Sequence, residues 1–285
     1  MNLIFFSVKN KDMDIRTDLI SELNESSTGN QSGIKTQKRI FGEVTADMVD
    51  VLTPDSARRI GKPCGRYLTV SFERLDRIAD LSDVKAALLY SLQMLFPTPP
   101  ESVLVVGLGN TDITPDALGP LTANSIIATR HISGNLRHTL GLDGLKDVSC
   151  LIPGVLGKTG IESLDIVSAA AAETKPDAII VVDALAARDP KRLCSTVQLS
   201  NSGITPGSGV NNARKELSGN KLHIPVIAIG IPTVTDADRG KEKNDMMVTP
   251  KEIDLLIKKG SELLSFVLNR FLQPGLDEET IENMT

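Results

Sequence analysis

Three apolar runs constrain most strongly what this chain can fold into. Residues 103–106 read Val-Leu-Val-Val, residues 178–182 Ala-Ile-Ile-Val-Val, and residues 226–231 Val-Ile-Ala-Ile-Gly-Ile. A strand with one wet face alternates apolar and polar residues, whereas a run apolar at every position must be covered on both faces. Helical patterns lie around these runs. Ser82 reads as the cap of a helix on which Val84, Leu88, Leu92 and Leu95 make one stripe, and "PTPP" at 97–100 stops it. Ile161 to Glu173 is Ala-rich, opened by a capping box at Thr159–Glu162 and ended by Pro176. A second capping box, Thr249-Pro-Lys-Glu252, opens a long amphipathic helix through Phe271. Strand and helix in alternation predict an α/β domain, a mostly parallel sheet flanked by helices.

Composition narrows the function by exclusion. The net charge is −5 and no dense basic run occurs, so direct nucleic-acid binding has little electrostatic support. No apolar stretch reaches the ~20 residues that cross a bilayer. Cys64, Cys150 and Cys194 are odd in number, widely spaced and without a CxxC pair, which argues against a disulfide scaffold or structural zinc and for a reducing compartment. The N-terminus lacks the charge order of a signal peptide, so a soluble intracellular protein is expected. Residues 22–38 are rich in Ser, Gly and Asn and read as a flexible linker.

The chemistry-bearing residues fall at the ends of the apolar runs. In an open parallel sheet, ligands bind beyond the carboxyl ends of the strands. The first run leads through Gly107-Leu108-Gly109-Asn110 to Thr114-Pro115-Asp116, the second ends at Asp183, and the third runs into Thr233. The glycines begin a dinucleotide fingerprint, but GxGxxG fails because position 112 is Asp. Thr114 and Pro115 read as the start of a helix, with Asp116 in its first turn, where free N–H groups favour the ionised carboxylate. Asp183 follows four apolar residues and should resist ionisation. Two carboxyls of unequal acidity in one cleft can divide the roles of base and acid and activate water against an amide. Asn110, Thr114, Gly207, Ser208 and Thr233 are further candidates to line the crevice. No histidine spacing suits a metal, and no serine or cysteine nucleophile motif is present.

The segments "VVGLGNTDITPDALGP", "GVLGKTGIES", "PDAIIVVDALAAR", "SNSGITPGSGVNNARKE", "IPVIAIGIPTV" and "MMVTPKEID" occur in the order found in the spore germination protease family, which the chain resembles over roughly residues 14–275. The resemblance implies an atypical aspartic endopeptidase with a fold like that of hydrogenase-maturation proteases, a phosphorylase-like α/β arrangement. It implies no cofactor, a homotetramer, and action on small acid-soluble spore proteins in the forespore or spore-core cytoplasm. Its catalytic aspartates match Asp116 and Asp183. It also implies a zymogen cut within Arg16-Thr17-Asp18-Leu19, between Asp18 and Leu19, so that residues 1–18 are a propeptide and 19–285 a single peptidase domain. Two departures stand out: residues 236–248 are shorter than in many relatives, and Asp112 replaces a residue that is often neutral. The competing readings are a metal-dependent maturation peptidase of the same broad fold and a non-catalytic nucleotide or phosphate binder.

Overall fold

In a computed structural model of the chain, residues 17–26, 32–132, 134–139, 142, 144–208, 214–237 and 246–284 are described. Among the described residues, nine strands form one sheet: β1 (Ile34–Phe41), β2 (Val44–Val51), β3 (Gly65–Ser71), β4 (Ser102–Gly107), β5 (Asp147–Leu151), β6 (Ala178–Ala187), β7 (Thr196–Ser200), β8 (Val226–Asp236) and β9 (Met247–Val248). Their order is β1-β2-β3-β7-β8-β6-β4-β5, with β9 paired to β8. The three apolar runs become β4, β6 and β8. They are mutually parallel neighbours, so their carboxyl ends share one edge as expected.

The parallel part is smaller than "mostly parallel" suggested. Ladders β4–β5, β4–β6 and β6–β8 are parallel, whereas β1–β2, β2–β3, β3–β7, β7–β8 and β8–β9 are antiparallel. The result is a mixed α/β sheet flanked by helices. Alternation along the buried strands sorts side chains onto two faces. Val103, Val105, Ile180, Val182, Ile227 and Ile229 enter one core with the helices Ser82–Leu95, Leu118–Asn124 and Ile253–Leu272. Leu104, Val106, Ile179, Val181 and Val226 enter the opposite core with Val167 and Ala171 of the helix Ser163–Thr174. Truncating a side chain such as the fully buried Ile180 to Ala would cost ~2–5 kcal/mol. The buried Asn269 ties the long C-terminal helix to the loop after the helix Leu118–Asn124, accepting from the Ile127 N–H at 2.9 Å and donating to the Ser125 carbonyl at 2.8 Å.

Several local expectations are corrected. The expected linker at 22–38 overlaps the helix Ile20–Ser26 and most of β1, while residues 27–31 lie outside the described residues. Its polar composition belongs to an edge strand exposed along most of its length, held by backbone pairing to β2 rather than by burial. Neither capping box forms. The Ala-rich helix begins at Ser163, and Thr159 closes a turn by accepting from the Ile161 N–H at 3.2 Å. The long helix begins at Ile253, and the Thr249 hydroxyl instead donates to the Thr233 carbonyl at 2.8 Å. Asp80, not Ser82, supports the start of Ser82–Leu95, accepting from the Ser82 N–H at 2.9 Å.

Candidate active site

The glycine turn after β4 serves close backbone packing. Gly109 has φ +123°, and a Cβ there would lie 1.9 Å from the Asp116 carbonyl oxygen. A Cβ at Gly119 would lie 2.2 Å from the Leu108 carbonyl oxygen. The loop therefore folds back onto the helix Leu118–Asn124 and fixes Asp116 over the strand ends. Thr114–Asp116 is one turn of 3-10 helix without a side-chain cap, closed by the Ala117 N–H on the Thr114 carbonyl at 3.1 Å. The Asn110 N–H donates to the Asp116 backbone carbonyl at 3.1 Å. Asp116 is thus not the easily ionised carboxylate expected at a helix start. Burial raises its pKa to about 6, against a smaller opposing effect of the Asn110 backbone N–H.

Asp183 sits in β6, buried, where the register places it beside Gly230 of β8. The Ala184 N–H donates to its Oδ1 at 2.9 Å. Burial holds its pKa well above the usual carboxylate range, and the charges of Asp116 and Asp18 push the same way. The two carboxyls line one cavity of ≈ 420 Å³ together with Gly109, Gly207 and Thr233. Thr233 is the extra residue of a bulge: Leu185 pairs with Pro232 and Ala186 with Val234, so Thr233 has no partner in the register. Its hydroxyl is buried without a hydrogen bond among the described residues.

The chain's own N-terminal segment enters this crevice. The Asp18 N–H donates to the Ala186 carbonyl at 2.9 Å, and the Ala186 N–H donates to Asp18 Oδ2 at 2.9 Å. The Ser208 hydroxyl donates to Asp18 Oδ1 at 2.8 Å. Burial lowers the pKa of Lys62, and the nearby Asp18 charge partly offsets that effect. Leu19 is fully buried against Leu185, Ala187 and Leu193; Ile20 is fully buried against Val49, Val51 and Tyr67. Gln198 of β7 donates from Nε2 to the Asp18 carbonyl at 2.8 Å and accepts the Ile20 N–H on Oε1 at 2.6 Å. Downstream, the buried Glu22 accepts from the Arg188 and Asp189 N–H groups at 2.8 and 2.9 Å, faces Arg192, and takes a hydrogen bond from Thr17.

Of the sequence candidates, Asp116, Asp183, Asp18, Gly207 and Thr233 meet at this cavity, and Ser208 reaches it through Asp18. Asn110 and Thr114 shape the loop beneath Asp116, and Asn110 Oδ1 accepts the Asp112 N–H at 3.1 Å. Asp112 is exposed and paired with Lys158. Residues 1–16 and 238–245 lie outside the described residues, and with them Arg16 and most of the shortened 236–248 region. Sequence reasoning missed Gln198, Glu22 and Lys62. Gln198 carried one faint signal, a long polar side chain between Val197 and Leu199 in a short strand; Glu22 stands in a polar stretch and carried none. Among the described residues, no group of three or more His, Cys, Asp or Glu side chains is placed to hold a metal ion. No helix among them is long and apolar enough to cross a membrane.

The fold and crevice define an α/β protein whose site, at the ends of parallel strands, grips a peptide segment beside two carboxyls of raised pKa. The germination protease family model matches residues 7–241. Germination proteases from Caldanaerobacter subterraneus subsp. tengcongensis and Bacillus velezensis are 35% and 42% identical to the chain, over 95% and 94% of its length and 98% and 75% of theirs. The chain belongs to the germination protease family, and is thus a peptidase. Among solved structures, the [NiFe] hydrogenase maturation protease HycI from Thermococcus kodakarensis is similar at 17% identity, covering 64% of this chain and 98% of its own, with a TM-score of 0.38.

Proposed function

We propose that the chain is an endopeptidase, made as a zymogen, that begins the degradation of small acid-soluble spore proteins during germination. The observation that carries this reading is that Asp18, held on Ala186, lines the same cavity as Asp116 and Asp183, with Leu19 buried next to it. A segment held there by backbone and side-chain bonds blocks the crevice to any other peptide. In this reading the cut between Asp18 and Leu19 releases residues 1–18. The enzyme works in the spore-core cytoplasm as a homotetramer and needs no cofactor.

The unequal acidity of the two carboxyls assigns the roles. Burial, with the charges of Asp116 and Asp18, favours the protonated form of Asp183 and makes it the proton donor of the pair, whereas Asp116, with a pKa of about 6, is mostly ionised near neutral pH. Asp116 takes a proton from water as the water oxygen adds to the Asp18 carbonyl carbon. Asp183 gives its proton to the Leu19 nitrogen as the C–N bond breaks. Asp18 leaves as a new C-terminal carboxylate and Leu19 as a free amine. The Ala186 N–H and the Ser208 hydroxyl both donate to the Asp18 carboxylate, so the crevice suits an acidic residue before the cut.

The test incubates purified full-length protein and its Asp183→Asn variant with a small acid-soluble spore protein, with and without chelator, and follows both chains by mass. Loss of residues 1–18 and chelator-insensitive substrate cleavage by wild type, with neither by the variant, is the expected result. A chain that digests substrate at full rate while still 285 residues long would sink the zymogen reading. Cleavage abolished by chelator would replace the aspartate pair with a metal.

A further inference from the structure

We propose that Gln198 polarises the carbonyl of the bond to be cut and sets which bond is cut, an assignment that rests on the aspartate reading above. Its side-chain amide spans the Asp18–Leu19 peptide, with Nε2 on the Asp18 carbonyl and Oε1 on the Ile20 N–H. The partners dictate the orientation of the amide, because a carbonyl only accepts and a backbone N–H only donates.

The group is held rigidly. Gln198 lies in β7 between Thr69 of β3 and Gly230 of β8, inside the sheet, and is 9% exposed. When water adds to the Asp18 carbonyl carbon, negative charge grows on the oxygen that Nε2 already contacts. A donor fixed in advance in a poorly solvated site stabilises that charge without reorganising. Being neutral, the amide donates at any pH at which the aspartates work. It also fixes register. One residue separates its two partners, so sliding the chain by one position would break both bonds and drive Leu19 from its enclosure of Leu185, Ala187 and Leu193. Glu22, anchored on the Arg188 and Asp189 N–H groups, resists the same slide from downstream.

The experiment uses full-length wild type, Gln198→Ala, the near-isosteric Gln198→Glu and Asp183→Asn. The first-order appearance of the chain beginning at Leu19 is followed by intact mass from pH 5 to 8, beside turnover of a spore-protein substrate. Thermal midpoints establish folding, and Gln198→Glu preserves side-chain volume if Gln198→Ala does not fold. Both Gln198 variants should cut ~10²–10³-fold more slowly. The pH midpoint of the neutral Gln198→Ala should match wild type, kcat should fall far more than KM rises in both variants, and Gln198→Ala should also cut at neighbouring bonds. A folded Gln198 variant cutting Asp18–Leu19 within about threefold of the wild-type rate overturns the assignment. So does a shifted pH midpoint of Gln198→Ala with an unchanged plateau, which would mean that Gln198 acts only through the aspartates. Normal cleavage by Asp183→Asn would instead refute the aspartate reading and leave the Gln198 result to stand on its own rates. A wild type that cuts neither itself nor substrate overturns both.

Discussion

Replacing Asp116 by Asn should make the protein more stable at neutral pH while removing its activity. Asp116 has a pKa of about 6 in the folded protein against 3.8 for the unperturbed group, and burial is the main cause. Each unit is ~1.4 kcal/mol, so the ceiling is ~3 kcal/mol; the carboxyl is partly open to solvent, and screening reduces this to ~1–2 kcal/mol. The sign follows from proton counts. Below pH 3.8 the group is protonated in folded and unfolded chains alike, and the substitution changes little. Between 3.8 and about 6 the unfolded chain has lost its proton and the folded one has not, so wild-type stability declines as pH rises. Above about 6 both forms are ionised and the full penalty remains. Asn carries no such penalty, and the Asn110 N–H keeps its bond to the backbone carbonyl at 116. Thermal and urea unfolding at pH 4 and pH 8 should show a gain of ~2–6 °C at pH 8 and little at pH 4. Hydrolysis should fall ~10²–10⁴-fold. An equal gain at both pH values, or a loss at pH 8, would refute the desolvation argument, and near-normal turnover would remove Asp116 from the chemistry.

Asp183→Asn should likewise lose ~10²–10⁴-fold in rate and gain stability toward neutral pH, because the buried carboxyl's raised pKa makes stability fall with rising pH; rate assays and melts across pH check both. Ser208→Ala removes one of the bonds on the Asp18 carboxylate and should slow self-cleavage up to about tenfold without moving the melting point by more than about a degree, since Ser208 is exposed. Gly109→Ala should destabilise by well over ~1 kcal/mol and abolish activity together, because its Cβ would strike the Asp116 carbonyl; an active, stable variant would show that the loop can relax there.

The sequence alone determined where chain must be buried and where polar groups interrupt it. Runs apolar at every position could only be strands covered on both faces, and β4, β6 and β8 obey that rule because its cause, exclusion of water, is local to each residue. Asp183 was legible for the same reason: a carboxyl after four such residues inherits their burial. Tertiary structure decided what faces what. The 22–38 stretch looked like a linker because composition reports burial, and β1 is ordered by backbone hydrogen bonds that carry no side-chain signature. Asp116 looked acidic because its local sequence resembles a helix start, yet desolvation by the surrounding loop outweighs its one opposing backbone N–H. The glycines resembled a phosphate cradle, but a glycine needed for backbone contact reads the same as one needed for a ligand. Gln198 and Asp18 are 180 positions apart, and no local pattern can announce their bond. A sequence encodes how much of each side chain is buried, residue by residue; the partner it finds depends on distances that exist only once the whole sheet has closed around it.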